Sequence, residues 1–247
     1  FIISLVLIFT GYKKVKTTQT KLHLLRNTIH FGGQTGWLYG VAFLPLADVF
    51  AIEFTAPIWT ALLAILFLKE KLNRYRALSI FLGFTGIIII LRPGFQIIQP
   101  AAFIVLFASF CFASTYVFTR YMSATESPLT IIFYMNLVQL PLGFIASLYN
   151  WALPSLESWP WLALLGLTGI GSHFCFANAF RYGDAIVVTP IDFIRLPLIA
   201  LIGWSIYNES WDLVIFVGGT VIFSGNLINL LAEQKFAKKS SETHTSE

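Results

Sequence analysis

With 57% of its 247 residues hydrophobic and 11% charged, the chain falls far short of the roughly 25% charge usual in a soluble domain. It reads as a polytopic membrane protein, and its polar loops are too short to hold a separate soluble domain. The net charge of +4 lies almost wholly on alternate loops, so it reports orientation in a bilayer and points away from nucleic acid.

Residues 1–12 are apolar but too few to span, and no basic segment precedes them, so they read as a helix lacking its start and not as a signal peptide. A basic linker with Lys13, Lys14, Lys16, Lys21 and Arg26 leads into eight predicted spans. These are residues 27–46, 49–68, 76–91, 101–121, 129–149, 161–180, 185–207 and 213–231, the third being short unless it begins nearer Tyr75. Residues 232–247 read as a polar, disordered tail.

Sorted by alternate loops, fourteen of the sixteen Lys and Arg residues fall on one side. Only Arg92 falls on the other, and Arg195 lies within a span. The basic side is therefore expected to be cytoplasmic, and with it the C-terminus. Trp151, Trp159 and Trp161 flank a Pro154 loop on the opposite side, where interfacial aromatics belong. Gly32, Gly36 and Gly40 form a stripe that predicts close approach of a neighbouring helix. His30, Gln34 and Trp37 fall on the opposite face, free to line a lumen.

The span at 185–207 is unusual. It is apolar, yet it carries Asp192 and Arg195 between Pro190 and Pro197. A charge near the middle of a membrane helix costs about 2.5–3.5 kcal/mol on insertion scales, so such residues normally face a partner or a wet cavity. Proline removes an N–H donor, and the freed carbonyl is tolerated only inside protein or beside a cavity. The span at 49–68 shares the pattern. It has a central Pro57, ends in Glu70 and carries Glu53, while the later span ends in Glu209. Glu53 stands 17 residues before Glu70, and Asp192 stands 17 before Glu209. The two copies start on opposite sides, so the repeat is inverted, and paired interrupted helices in inverted halves point to a transporter's site.

Several motifs carry a family likeness: Phe43-Leu44-Pro45-Leu46-Ala47-Asp48, Phe54-Thr55-Ala56-Pro57, the Glu70 helix end, Gly83-Phe84-Thr85-Gly86 through Arg92-Pro93-Gly94, and Asp192-Phe193-Ile194-Arg195-Leu196-Pro197. Over almost its whole length the chain resembles the drug/metabolite transporter superfamily, specifically its EamA-type members, and is similar to the branch that takes up S-adenosylmethionine or riboflavin. The resemblance implies an all-α fold of ten helices in two inverted five-helix repeats, with both termini cytoplasmic. Helix 1 and part of helix 2 would be missing here. The repeats would be residues 1–94 and 95–231, followed by a cytoplasmic tail at 232–247. It also implies a bacterial inner-membrane location.

The residues nominated for solute binding are Arg195, Asp192, Glu53, Trp37, His173, Gln34, His30, Tyr116 and Asn178. Asp192 and Arg195 can meet on one helical face as a self-neutralising pair. Arg195 can instead hold a solute carboxylate, or pair with Glu53 in one conformation and Asp192 in another. Glu53 reads as a proton carrier or a solvated mouth residue. His173 matches Trp37 in the repeat and reads as a packing group or a relay. Asn136 and Gln139 read as inter-helix hydrogen-bonding groups, and Asp48 and Asp184 as helix caps.

The function expected is a secondary carrier of a small organic metabolite, with a non-transporting membrane subunit as the alternative. An intramembrane enzyme is disfavoured, because adjacent Ser172 and His173 point about 100° apart on a helix. No Walker-type phosphate loop and no metal-spaced Cys/His cluster occurs in the sequence. The partners expected are a small-molecule solute and the lipid bilayer, with a homodimer as a further possibility, and no cofactor, metal or nucleic acid.

Overall fold

The computed structural model describes residues 15–70, 72–91, 99–188, 195–207 and 213–244. Among them all regular structure is helical. In chain order the helices are α1 (Thr20–Phe43), α2 (Leu46–Glu53), α3 (Ala56–Leu63), α4 (Arg74–Leu91), α5 (Pro100–Met122), α6 (Pro128–Ser147), α7 (Trp159–Tyr182), α8 (Ala185–Val188), α9 (Leu196–Tyr207) and α10 (Leu213–His244). Four segments are long and apolar enough to cross a membrane: Asp48–Leu68, Pro100–Met122, Pro128–Ser147 and Leu156–Tyr182. Large apolar side chains such as Leu140 (75% exposed) and Leu165 (67%) face outward, as a hydrocarbon solvent requires and water would not favour.

Local chemistry sets the element ends. Pro57 has no N–H to give the Glu53 carbonyl four residues back, so the span breaks there, and Pro57 opens α3 in the first turn where it is tolerated. Thr55, in the break, bonds Ser109 on α5 at 2.5 Å. The Ser109 hydroxyl donates to the Leu106 carbonyl, which leaves Thr55 as the donor in that pair. After α3 a π-helical turn (Ala64–Leu68) ends at Lys69, whose φ of 55° terminates the helix. Asn73 Oδ1 accepts from the N–H groups of Tyr75 and Arg76, so α4 begins at Arg74. At α6, Ser127 caps the Thr130 N–H and Pro128 follows it.

The chain forms two compact units. The first comprises Phe1–Phe31 and Phe118–Gly183. Its apolar centre is Met122, Ile131 and Ala177, with Leu22 packed against them. The second comprises Gly32–Val117 and Asp184–Glu247. Here Ala51, Phe54, Ile58, Ile87 and Ile222 make one buried cluster, and Val49, Ile52 and Val105 another. Within this unit α4 and α10 pack through glycine. A Cβ on Gly86 would stand 2.5 Å from the Gly218 carbonyl oxygen, and one on Gly225 would stand 2.8 Å from Leu82 Cβ.

Three sequence expectations are corrected. The small-residue stripe of α1 against α5 is Gly33, Gly36 and Gly40, because Gly32 has nothing within 4 Å of its Cβ position. Steps of three then four residues stay on one helical face, whereas two steps of four drift round it. The tail is not disordered as far as His244, for α10 continues to that residue. Extending an existing helix through Ala, Glu, Gln and Lys needs no new nucleus. Asp48 sits in the first turn of α2, and Pro45 holds the N-cap position. Asp184 holds the N-cap position of α8 as expected, its carbonyl accepting from the Val187 and Val188 N–H groups, while its carboxylate accepts from Arg76 (2.9 Å) and Glu70 accepts the Ala185 N–H (3.1 Å).

Candidate functional site

In the second unit, three of the nominated residues meet. Glu53 is the last residue of α2 and is held there by the proline break. Its Oε2 accepts from Trp37 Nε1 at 2.6 Å, and its Oε1 accepts from Arg195 Nη2. The Arg195 guanidinium lies 5.2 Å from the centre of the Phe50 ring and 5.3 Å from that of Phe54. Trp37 meets Phe50 edge to face at 5.4 Å. A carboxylate beside two ring faces forms a receptor for a cation, and Arg195 occupies it. Arg195 pairs with Glu53, one of the two partners that its third reading names. Asp192 and Pro190 lie outside the described residues. Gln34 is exposed and Tyr116 half-buried in this unit.

In the first unit, His30 and His173 meet edge to face with ring centres 4.9 Å apart. Gln139 Nε2 lies 2.7 Å from His30 Nδ1 and joins α6 to α1, as its inter-helix role predicts. An amide nitrogen only donates, so His30 Nδ1 accepts and its proton sits on Nε2. Asn136 departs from that prediction, because its amide donates to the Ile132 carbonyl of its own helix. Asn178 likewise donates to Phe174 on α7.

The comparisons agree with this architecture. The EamA-like transporter family matches residues 1–92 and 99–231. The chain belongs to that family. It is 28% identical over 232 residues to an S-adenosylmethionine uptake transporter of Rickettsia bellii, covering 94% of this chain and 80% of that protein. It is 28% identical over 228 residues to a riboflavin transporter of Brucella anthropi, covering 90% of this chain and 80% of the relative. A solved crystal structure shares the fold with a TM-score of 0.73 at 13% identity, over 95% of this chain and 84% of that one. EamA membership together with the four apolar segments makes this a multi-pass membrane protein.

One polar group of this EamA member escaped the sequence reading. His23, Arg26, Asn27 and His30 are all buried on one face of α1. Arg26 Nε donates to Thr119 on α5 at 2.8 Å, and its Nη1 donates to Asn27 Oδ1 at 2.5 Å. The His23 ring stacks on Tyr134 of α6 with centres 4.4 Å apart. The spacing i, i+3, i+4, i+7 was a legible signal for this face. Arg26 equally fits the charge pattern that sets orientation, which is why the face does not stand out.

Proposed function

We propose that the chain is a secondary carrier that moves a small organic metabolite, an amino-acid, S-adenosylmethionine or flavin-like solute, across a bacterial inner membrane by alternating access. Its two EamA-type repeats are assigned to residues 1–94 and 95–231 in inverted orientation, with the C-terminus cytoplasmic. The observation that carries this reading is the Glu53–Arg195 ion pair. It joins the proline-broken span to the residue that precedes α9, in a setting where unpaired charge is costly. In the state seen here Arg195 fills the cation receptor made by Glu53, Phe50 and Phe54. A solute bearing a positive centre competes for that carboxylate and releases Arg195, so occupancy and conformation become linked. The names of the relatives support the metabolite class.

The test is uptake of labelled S-adenosylmethionine and of riboflavin into vesicles that contain the protein. Wild type is expected to carry at least one of them, with flux lost in Glu53→Gln and Arg195→Ala. Normal flux in both variants removes this site from the mechanism. Absence of flux for every solute tried favours a non-transporting subunit.

A further inference from the structure

We propose that His23, Arg26 and Asn27 bind a carboxylate of the transported solute, a reading that rests on the carrier function above. Arg26 is 2% exposed, and His23 and Asn27 are fully enclosed. The Arg26 hydrogen bonds run to two neutral acceptors, Thr119 Oγ1 and Asn27 Oδ1. No carboxylate pairs with it among the described residues. Arg76 and Arg195, by contrast, each have one, Asp184 and Glu53 respectively. A guanidinium withdrawn from water without a counter-anion is a strongly unfavourable arrangement unless something else brings the anion.

The neighbours are also incomplete. The Asn27 amide nitrogen and both His23 ring nitrogens are buried without a hydrogen-bond partner. Buried polar atoms are nearly always satisfied, so three unpartnered polar atoms beside an Arg26 that has no carboxylate partner are suited to hold an anionic group of a ligand. What they offer is one positive charge and donors on Arg26, Asn27 and His23, which suits an oxyanion. The charge count selects a monoanion. A phosphate dianion would leave a surplus negative charge near Glu126, whose Oε1 already lies 4.0 Å from His23 Nε2 and accepts from the Thr17 hydroxyl. A carboxylate balances Arg26 alone. S-Adenosylmethionine carries one and riboflavin does not, so the group favours the former class of solute.

Binding of three probes to the purified full chain tests this: S-adenosylmethionine, its decarboxylated analogue and riboflavin. Wild type should bind S-adenosylmethionine about ten-fold or more tightly than the decarboxylated analogue. Arg26→Gln should erase that preference while holding affinity for the analogue within about two-fold. Asn27→Asp places a carboxylate inside the protein beside Arg26, and should raise the melting temperature while abolishing the preference. Should Arg26→Gln fail to fold, Asn27→Asp and Arg26→Lys decide. Equal affinity of wild type for the two sulfonium probes, or equal weakening of both in Arg26→Gln, overturns the site and leaves ordered water as the occupant of these atoms. Riboflavin binding alone, insensitive to Arg26, overturns this inference and spares the carrier. Binding of none of the three overturns this inference, and the carrier function then stands or falls on the uptake assay above.

Discussion

Glu70 and Ala185, 115 residues apart in the chain, are joined by a hydrogen bond of 3.1 Å from the Ala185 backbone N–H to the Glu70 carboxylate. Glu70 lies just past the π-turn that closes the first interrupted span, and Ala185 is the first residue of α8. Beside them Arg76, nearly buried, bonds Asp184 at 2.9 Å. The loop after one broken span therefore holds the turn that enters the next. Glu70 and Asp184 thus form a clasp within the second unit.

Glu70→Ala is expected to lower stability by about 0.5–2 kcal/mol, the range for loss of a helix cap. Glu70→Gln keeps an acceptor oxygen and should lose less. Arg76→Ala should cost toward the low end of the range for breaking an ion pair, because the Asp184 side chain is 39% exposed and water can replace its partner. The two sites flank one turn, so the double variant should fall short of the sum of the singles. Melting temperatures in detergent for the four proteins measure this, and full additivity would show that the contacts act independently.

The glycine contacts predict a contrast between Gly86 of α4 and Gly32 of α1. An alanine at Gly86 meets the Gly218 carbonyl oxygen, which is backbone and cannot turn aside, so α4 and α10 must separate. The expected loss is about 1–3 kcal/mol, the usual range for overpacking. At Gly32 the space is open, and alanine is a better helix former by about 1 kcal/mol, so Gly32→Ala should be neutral or stabilising. Thermal melts of the two variants check the pair. A destabilised Gly32→Ala with an unchanged Gly86→Ala would contradict the observed packing.

Much of this is legible in the sequence. Pro57 forced a break because a missing N–H is a local fact that no tertiary contact alters. Four of the eight predicted spans, at 49–68, 101–121, 129–149 and 161–180, were likewise fixed by composition and recur as helical segments long enough to cross a membrane. The register of the α1 glycines was harder, since 32, 36, 40 and 33, 36, 40 both repeat small residues, and only the partner helix reveals which set touches. Arg195 left three choices open, because an ion pair to Glu53 across 142 residues is a tertiary event with no spacing rule. Arg26 was hidden for a different reason. A basic residue at a helix start scores the same for orientation whether it faces lipid headgroups or, as here, the interior of its unit.

Orientation can be read with reporter fusions. The Arg120 guanidinium donates to the Phe180 carbonyl, and Gln19 donates to Thr125, so three of the segments assigned to the basic side meet at one end of the first unit. A periplasm-dependent alkaline phosphatase fused after Ser155 should be active, and one fused after Glu247 inactive. A fluorescent protein that matures only in the cytoplasm should give the reverse pattern. Activity of the phosphatase at the C-terminus would invert the assignment of every loop.

Trp37 separates a packing role from a binding role at Glu53. The indole N–H holds one carboxylate oxygen at 2.6 Å while Arg195 holds the other. Trp37→Phe keeps a ring against Phe50 but removes that donor, so most of the packing survives. A hydrogen bond to a charged group contributes about 1.5–3 kcal/mol, which corresponds to roughly ten- to a hundred-fold in an equilibrium that depends on it. Without the indole donor, Glu53 can turn further toward Arg195 and close the receptor more tightly against a competing solute cation. The expected outcome is a raised half-saturation concentration for uptake with a melting temperature within a few degrees of wild type. An equal fall in stability and flux would make Trp37 a packing residue, and unchanged uptake would show that the orientation of Glu53 is set by Arg195 alone.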